Sequence, residues 1–380
     1  MNVHTLPRSF VAEPEALEPL PVGLLSLATA APPYRLAQDD VARLARRVYA
    51  RAFERFPNLN DVFVNAGIEQ RQSVRPLEWF EAPHDFAERG EVYLDGASRL
   101  FVKAAREALD HAALRAEDID VVVTVSSTGI ATPSLEARVA TEMGFRPNIM
   151  RVPLFGLGCA GGVSGLAIGA RLARAHPGET VLVVVVELCT VAFRSDRGFK
   201  ADIISSALFG DGAAAMVLRA DSGRDGDADV DAIRLGVSAD HTWPGSLDIM
   251  GWTVDPTGLG VVLSRSVPHF VEKQLPEPAR RFVEMTGFEA PNYVLHPGGA
   301  KVLDALEAAL QLQSGSLLDE RAVLRAHGNM SAATVMFVLA SALRRGLRGP
   351  TVMAAMGPGF TATFMACQIG AKGKAVVAGV

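Results

Sequence analysis

The sequence predicts an α/β fold built from two similar halves, and three observations support this prediction. Residues 119–125 (IDVVVTV) and 180–186 (TVLVVVV) are apolar, β-branched runs typical of strands that are covered on both faces. Two stretches of small residues, one around Cys159 and one around Asn329, each continue into a helical pattern. The order of strand, helix and strand recurs in the second half of the chain, which indicates a pseudo-duplicated α/β fold.

Length and composition favour a globular protein. The chain has 380 residues, of which 49% are hydrophobic and 21% charged, so it can bury a large core and has room for two units of domain size. An acidic, glycine-rich segment at residues 220–231 is the predicted seam between the units. We therefore expect an N-terminal arm at residues 1–20, a first half at residues 21–222 and a second half at residues 223–380.

Charge and cysteine content exclude several classes of protein. The formal net charge is −5 and no basic run is interleaved with aromatic residues, which argues against a nucleic-acid partner. The cysteines at positions 159, 189 and 367 have neither metal-ligand spacing nor a disulfide pattern, so we predict no metal site and a reducing, cytoplasmic location. The N terminus lacks the apolar core of a signal peptide, and no apolar run is long enough for membrane insertion.

The other elements follow from periodicity and from residues that break it. Residues 22–29 predict a first strand, and residues 38–56 predict one basic amphipathic helix whose arginines we interpret as a solvated face. Residues 62–81 show no regular pattern. Further helices are predicted at residues 93–113 and 136–143, and further strands at residues 150–154 and 351–355.

The stretch at residues 155–170 (FGLGCAGGVSGLAIGA) carries the first candidate for chemistry. An apolar segment, a glycine turn and a small-residue helix place Cys159 at or near the first turn of that helix. The free N–H groups and the positive end of the helix dipole stabilise an anion there, so they favour thiolate over thiol. The alternative is that Cys159 is a buried cysteine that packs as a small hydrophobe.

Two further residues can complete a catalytic set. His296 lies where an apolar strand ends in Pro-Gly-Gly, and Asn329 begins the second small-residue helix. Alone, each has an ordinary explanation, as a hydrogen-bonded core histidine and as a helix cap. In a pseudo-symmetric fold the two helices begin side by side, which would bring Asn329 to Cys159. The cysteine can then carry an acyl group as a thioester, paired as thiolate with His296. The histidine and the amide can stabilise the enolate formed when a malonyl thioester loses carbon dioxide.

The motifs around these residues resemble those of the thiolase superfamily and, within it, the type III polyketide synthases, the chalcone synthase-like family. They are GCAGG at Cys159, ALFGDGAAA at Phe209, HPGG at His296, GNMSAAT at Asn329 and GPGF near the C terminus. The resemblance implies a thiolase-like fold with an α-β-α-β-α layered core. It also implies a homodimer that uses coenzyme A thioesters without a metal or a bound organic cofactor.

The resemblance also implies a role for each matching residue. Cys159 would be the nucleophile, and His296 and Asn329 would support decarboxylation and hold the oxyanion. Phe209 would be the aromatic gate between the acyl site and the coenzyme A tunnel. The loop formed by Gly357, Pro358 and Gly359 would shape the cavity in which the product cyclises.

The sequence departs from the plant members of the family at cavity positions. This chain has Val261 at the position of the family's second gate phenylalanine and Trp252 where plant members often have glycine. The methionine that plant members send across the dimer falls near Thr132, and their two cavity threonines fall near Cys189 and Ala192. The small residues predict a tunnel for an extended apolar chain, as in bacterial alkylresorcinol and alkylpyrone synthases, which take fatty acyl starters. Trp252 favours the resorcinol-forming kind.

Substrate delivery is less defined by the sequence. The basic residues that plant members use for coenzyme A phosphates have no clean match, which leaves Lys301 and Arg71 as candidates. Starters could arrive on coenzyme A or on an acyl carrier protein. We predict a synthase that extends a fatty acyl starter with malonyl-CoA and closes a ring. The alternatives are a malonyl-CoA-primed tetrahydroxynaphthalene-type synthase, a single-condensation enzyme like ketoacyl-ACP synthase III, and a thiolase-fold binding protein without catalysis.

Overall fold

The computed structural model describes residues 20–59, 61–221 and 232–379, so the predicted arm and most of the predicted seam lie outside the described residues. The strands are β1 Val22–Ala30, β2 Tyr34–Ala37, β3 Gln70–Ser73, β4 Val121–Val125, β5 Met150–Leu154, β6 Thr180–Leu188, β7 Asp211–Ala220, β8 Ile233–Thr242, β9 Met250–Asp255, β10 Gly258–Leu263, β11 Asn292–Leu295, β12 Gly349–Gly357 and β13 Thr361–Ile369. The helices are α1 Gln38–Val48, α2 Ala50–Arg55, α3 Phe86–His111, α4 Leu135–Arg138, α5 Ala140–Met143, α6 Gly161–Ala175, α7 Lys200–Leu208, α8 Val267–Gln274, α9 Pro276–Thr286, α10 Ala300–Ala309, α11 Leu318–His327 and α12 Thr334–Arg345.

Nine strands form one sheet in the order β11-β12-β13-β8-β1-β7-β6-β4-β5. Its centre is the short antiparallel pairing of β1 with β8. On both sides of this pair the next two pairings are antiparallel and the third is parallel, so that β7, β6 and β4 correspond to β13, β12 and β11. This repeat of strand directions confirms the predicted pseudo-duplication.

Helices cover both half-sheets and fill the space between them. Helix α3 packs on the outer face of β1, β6 and β7, and α6 contacts strands of both half-sheets from the central layer that it shares with α12. Alternate residues of β6 point to opposite faces of the sheet: Val183 packs in the central cluster, whereas Val184 packs in the cluster that contains α3. Helices α8, α9 and α10 cover the second half-sheet. The α-β-α-β-α layering is therefore confirmed.

Two stretches differ from their predicted structure. The helix predicted at residues 38–56 is interrupted at Tyr49, whose buried hydroxyl donates to the Arg194 carbonyl at 2.9 Å. The arginine row of α1 and α2 is exposed, as predicted. The region predicted to be irregular contains β3, which pairs with β2. A four-residue polar strand carries too little periodicity to be recognised from the sequence.

Small residues bring the two central helices into contact. A side chain at Gly162 in α6 would overlap the Ala332 carbonyl oxygen, which precedes α12. A side chain at Gly158 would overlap the Pro358 ring, and the φ of Gly158 is +49°, a left-handed conformation that favours glycine. The start of α6, the start of α12 and the loop after β12 consequently meet at one place.

Candidate active site

A cavity of about 430 Å³ opens at this meeting point. Cys159, His296 and Asn329 all line it, and so do Phe209 and Trp252. These residues lie far apart in the sequence and come from both halves of the fold. The structure therefore brings together the three side chains that were predicted to act as a set.

Cys159 lies in a 3-10 turn, Gly158–Ala160, that joins β5 to α6. The turn begins with the N–H of Gly158, which donates to the Ser127 hydroxyl at 3.1 Å. The Cys159 side chain is 8% exposed and faces the cavity. The predicted position at the start of the helix is thus present.

The protonation state of Cys159 differs from the prediction. Burial raises the pKa of the thiol to about 12, and the nearby Glu187 carboxylate also raises it. Hydrogen bonds from the Ser331 and Asn329 side chains lower this pKa only in part. The expectation that the helix start favours thiolate is wrong, because loss of solvation outweighs the stabilisation that the helix offers.

His296 directly follows β11, and its backbone N–H donates to the Ala354 carbonyl at 2.9 Å. The imidazole is 4% exposed, and neither ring nitrogen has a hydrogen-bond partner among the described residues. Burial lowers the pKa of His296 to about 4, so the ring is neutral at pH 7 and the expected ion pair with thiolate is absent. Both ring nitrogens can therefore bond a group that enters the cavity.

Asn329 lies between α11 and α12 with its amide held at both ends. The Oδ1 atom accepts from the backbone N–H of Ser331 at 2.8 Å, and Nδ2 donates to the Gly298 carbonyl at 3.2 Å. The second N–H of Nδ2 remains for the cavity, where the Asn329 side chain also contacts Cys159. These bonds fix which end of the amide can serve as a donor.

Glu187, at the end of β6, lies beneath Cys159 and was not selected from the sequence. Its carboxylate accepts from the Ser127 N–H at 3.0 Å, the Thr128 hydroxyl at 2.9 Å and the Ser331 hydroxyl at 3.3 Å. The side chain is fully buried, and burial raises its pKa to about 7. The available signal was an acidic residue immediately after the apolar run at residues 180–186.

Aromatic and aliphatic side chains form the wall opposite the polar set. The rings of Phe209 and Trp252 meet edge to face with centroids 6.3 Å apart. Trp252 on β9 pairs in register with Val261 on β10, and both line the cavity. Cys189, which follows β6, lines it as well. These four predicted cavity residues are therefore in the cavity wall, and Pro358 is a fifth.

The loop after β12 contributes less directly than predicted. Pro358 lines the cavity together with Met356 and Phe360, whereas Gly357 and Gly359 do not. A side chain at Gly357 would overlap the Leu157 carbonyl, so this glycine lets the loop pack against the Cys159 turn. The two glycines shape the loop that presents Pro358.

Two other predicted cavity residues lie elsewhere. Ala192 is buried and lines a neighbouring cavity of about 250 Å³, together with Thr128, Val191 and Leu259. Thr132 is exposed and lines neither cavity, because the chain after β4 stays buried only as far as Thr128 and reaches the surface by Ile130. The expectation that Ala192 lines the main cavity is wrong. Thr132 was expected near a position that reaches across the dimer, so its contribution to a partner's cavity stays a prediction.

The two residues predicted to contact coenzyme A, Arg71 and Lys301, lie in different surroundings. Arg71 is 1% exposed, and its guanidinium donates to the carbonyls of Ser206, Ala207 and Phe209 at 2.6, 3.1 and 3.2 Å. Burial lowers its pKa to about 9, against the opposing effect of Asp211. The assignment of Arg71 to a phosphate is wrong, because the side chain caps the C-terminal end of α7.

Lys301, in contrast, is exposed and lines the main cavity. Arg265, which the sequence analysis missed, lines it too. Arg265 follows the apolar end of β10, and a cation directly after such a strand was the only signal for it in the sequence. These two residues are the cations that remain as candidates for phosphate contact.

Among the described residues, no group of His, Cys, Asp and Glu side chains is arranged as a set of metal ligands. In the same part of the chain, every helix is too short or too polar to cross a lipid bilayer.

The layered fold and the Cys-His-Asn cavity define a thiolase-like protein, and comparison with known proteins identifies the family. Residues 80–222 match the family model for the N-terminal domain of chalcone and stilbene synthases, and residues 234–367 match the model for the C-terminal domain. The chain belongs to this family, the type III polyketide synthases, and is an enzyme of the acyltransferase type. Enzymes of this family use coenzyme A thioesters and need no further cofactor.

Individual relatives support the assignment over nearly the whole chain. A 1,3,6,8-tetrahydroxynaphthalene synthase of Streptomyces peucetius is 36% identical over 344 residues, which cover 89% of this chain and 90% of the relative. A phloroglucinol synthase of Pseudomonas fluorescens is 31% identical over 310 residues, covering 79% of this chain and 86% of the relative. The crystal structure of the tetrahydroxynaphthalene synthase of Streptomyces coelicolor superposes with a TM-score of 0.85 at 29% identity, covering 92% and 99% of the two chains.

Proposed function

We propose that the protein condenses a long-chain fatty acyl starter with malonyl-CoA and cyclises the product to an alkylresorcinol or an alkylpyrone. The observation that carries the proposal is the pairing of the Cys-His-Asn cavity with a second, largely apolar cavity behind it. The two are separated by β10 and by the turn Cys189–Ala192, where small side chains stand. An acyl chain held on Cys159 could extend in that direction.

The first step loads the starter. The Cys159 thiol gives its proton to the free nitrogen of the neutral His296 ring as Sγ attacks the thioester carbonyl. A new carbon–sulfur bond forms, the bond to the coenzyme A sulfur breaks, and the leaving thiolate takes the proton back from the histidine. A neutral imidazole has the lone pair that this step needs, which agrees with the lowered pKa of His296.

The second step makes the new carbon–carbon bond. When malonyl-CoA loses carbon dioxide, negative charge develops on the thioester oxygen, where the N–H groups of His296 and Asn329 would donate. The resulting carbanion attacks the acyl carbonyl on Cys159 and releases the extended chain as a coenzyme A thioester. Two or three such extensions precede ring closure.

Coenzyme A would lie over the cavity mouth. Lys301 and Arg265 supply positive charge there in a chain whose formal net charge is −5. Phosphate groups are strong acceptors for such side chains. We assign both residues to the coenzyme A phosphates.

The functional unit would be a homodimer. Among the described strands, β5 is an edge of the large sheet and pairs with β4 alone. Met150 at its start and Phe155 just after its end are exposed, as is Ile130 in the loop after β4. Sheet edges with exposed apolar side chains are commonly covered at protein interfaces, and a second copy of this chain would cover this edge. The three cysteines are unpaired and buried, which fits the reducing cytoplasm predicted for the protein.

One other activity has specific support. Three relatives of the chain are 1,3,6,8-tetrahydroxynaphthalene synthases, and if this protein shares that activity, malonyl-CoA would serve as both starter and extender. The product would then have no alkyl chain. The second cavity would have no acyl chain to accommodate in that reaction.

Product analysis by mass spectrometry tests both possibilities. Purified protein is incubated with malonyl-CoA and acyl-CoA starters from acetyl to stearoyl, with Cys159→Ala as the inactive control. Alkylresorcinols or alkylpyrones from long starters are the expected result. Aromatic product from malonyl-CoA alone would replace the proposal with the second activity. If no coenzyme A thioester gives product but starters bound to an acyl carrier protein do, the carrier of the starter in the proposal would change, and the condensation chemistry would stay as proposed.

A further inference from the structure

The hairpin of β9 and β10 is a separate two-stranded sheet that forms the wall between the two cavities. Val261, Val262 and Leu263 of β10 line the main cavity, whereas Gly258 and Leu259 of the same strand line the second one. Trp252 on β9 lies on the side of the main cavity. Any shift of this hairpin would therefore change the space on both sides.

A buried arginine, Arg194, ties the hairpin to the body of the protein. The Arg194 side chain is 2% exposed, and its Nη1 atom donates to both carboxylate oxygens of Asp255 at 3.0 and 3.2 Å. The same guanidinium binds Asp196 through Nε and Nη2 at 2.7 and 2.6 Å, and also contacts the Thr257 hydroxyl. Asp255 and Thr257 belong to the hairpin turn, while Asp196 follows the segment that contains Cys189 and Ala192.

A second arginine, Arg197, packs against strand β10 of the hairpin. Arg197 pairs with Asp202 of α7 at 3.3 Å and with Asp255 at 3.7 Å. A side chain at Gly260 would overlap the Arg197 guanidinium, so β10 rests directly on this charge. Arg89 of α3 donates to the carbonyls of Val191 and Phe193, both at 2.6 Å, and so holds the same segment.

We infer that these residues, the Arg194 cluster of Arg89, Arg194, Arg197, Asp196, Asp202 and Asp255, hold the hairpin wall in place and thereby set which acyl chain lengths the enzyme accepts. Arg194 lines neither cavity, so it is a positioning residue that acts through Trp252, Val261 and Leu259. Three cations face three anions, so the cluster is neutral, with Arg194 and Asp202 buried and Asp196 and Asp255 partly exposed. The inference rests on the proposed function for its use of acyl starters.

The test removes the hairpin side of the cluster and leaves the rest. Asp255→Asn takes away one of the two carboxylates on Arg194. Asp304→Asn is the matched control, because it takes away one of the two carboxylates on Arg321, which lies outside both cavities. Arg194→Lys is the second variant, since lysine keeps the charge but lacks the fork that binds two carboxylates. Two readouts are taken: hydrogen–deuterium exchange of residues 250–263, and the ratio of kcat/KM for palmitoyl-CoA over hexanoyl-CoA.

In Asp255→Asn and Arg194→Lys we expect faster hydrogen–deuterium exchange in the hairpin. The ratio of kcat/KM for palmitoyl-CoA over hexanoyl-CoA should move toward one by at least about fivefold, because the KM values for the two starters change. Malonyl-CoA decarboxylation without starter should change less than about twofold, because Cys159, His296 and Asn329 are untouched. The inference is overturned if hairpin exchange is unchanged, or if Asp304→Asn shifts the ratio equally. If the wild-type enzyme turns over neither starter, the proposed function fails, and the exchange experiment still decides whether the cluster holds the wall.

Discussion

The backbones of Phe209 and Asn329 are joined by an isolated parallel bridge. The N–H of Asn329 donates to the Leu208 carbonyl at 2.8 Å, and the N–H of Gly210 donates to the Asn329 carbonyl at 3.0 Å. Arg71 holds the Phe209 carbonyl at 3.2 Å. The proposed gate and the proposed oxyanion donor thus share one hydrogen-bonded backbone, which fixes the backbone of Phe209 relative to that of Asn329.

Cys159 should react slowly at neutral pH when the site is empty. Only the thiolate is alkylated, and the pKa is raised to about 12, so the rate constant with iodoacetamide should rise about tenfold per pH unit between pH 7 and 9. Peptide mass spectrometry measures the label, and Cys159→Ala identifies its site. A plateau near pH 7 would mean that a thiolate–imidazolium pair exists after all.

Asn329→Asp should separate decarboxylation from acyl loading. Aspartate keeps the oxygen that accepts from Ser331 but loses the N–H donors, so malonyl-CoA decarboxylation should fall by about 10²–10³. Transfer of a labelled starter to Cys159 should persist. Asn292→Ala, an exposed asparagine on β11, is the control and should leave both rates unchanged. Equal loss of loading and decarboxylation would contradict the assigned role.

Lys301→Ala and Arg265→Ala should each raise the KM for malonyl-CoA by about tenfold, since a charge-assisted phosphate contact is worth roughly 1.5 kcal/mol. The effect should shrink at high salt, because these side chains lie at a solvated cavity mouth. Arg71→Lys should instead lower the free energy of unfolding by about 1–3 kcal/mol through unpaired carbonyls, without a salt-dependent change in KM. Exposed Lys273→Ala is the control, and a similar KM shift there would indicate a nonspecific charge effect.

Trp252→Gly should enlarge the main cavity and increase the fraction of pyrone among the products. The indole packs on Phe209 in the wall, and its removal would let the polyketide adopt more conformations before closure. The resorcinol-to-pyrone ratio from one long starter, measured by mass spectrometry, checks this. Val254→Gly makes the same backbone change on β9 at a side chain that is 65% exposed, so it controls for strand weakening. An unchanged ratio would show that Trp252 does not control closure.

Glu320→Gln should flatten the dependence of stability on pH. Burial raises the pKa of Glu320 to about 7 from the ordinary value of 4.5, so the folded state binds more protons than the unfolded state between these values. Its stabilising contribution is present below pH 4.5 and is lost as pH rises through 7, by up to ~3 kcal/mol. Urea unfolding at pH 5 and pH 8 measures the difference. Exposed Glu289→Gln should behave as wild type, and a Glu320→Gln slope equal to wild type would refute the prediction.

Much of the fold could be predicted from local sequence. The apolar runs that became β4 and β6 are buried along their whole length, and such strands differ in composition from any exposed segment. The helix predicted at residues 38–56 is interrupted at Tyr49, whose backbone leaves the helical region at φ −104° and ψ 28°. The Tyr49 hydroxyl bonds Arg194 more than a hundred residues away, and periodicity, which describes neighbours along the chain, carries no information on such a contact.

By itself, the sequence determined the order of strands and helices, the pseudo-duplication, and the motifs at Cys159, His296 and Asn329. Only the tertiary structure decided that the cysteine and the histidine are both uncharged, that Arg71 caps a helix, and that Ala192 lines a different cavity. It also placed Glu187 under the cysteine and Arg194 under the hairpin. The reason is that secondary structure and turns depend on nearby residues, whereas burial and charge depend on groups that only folding brings together.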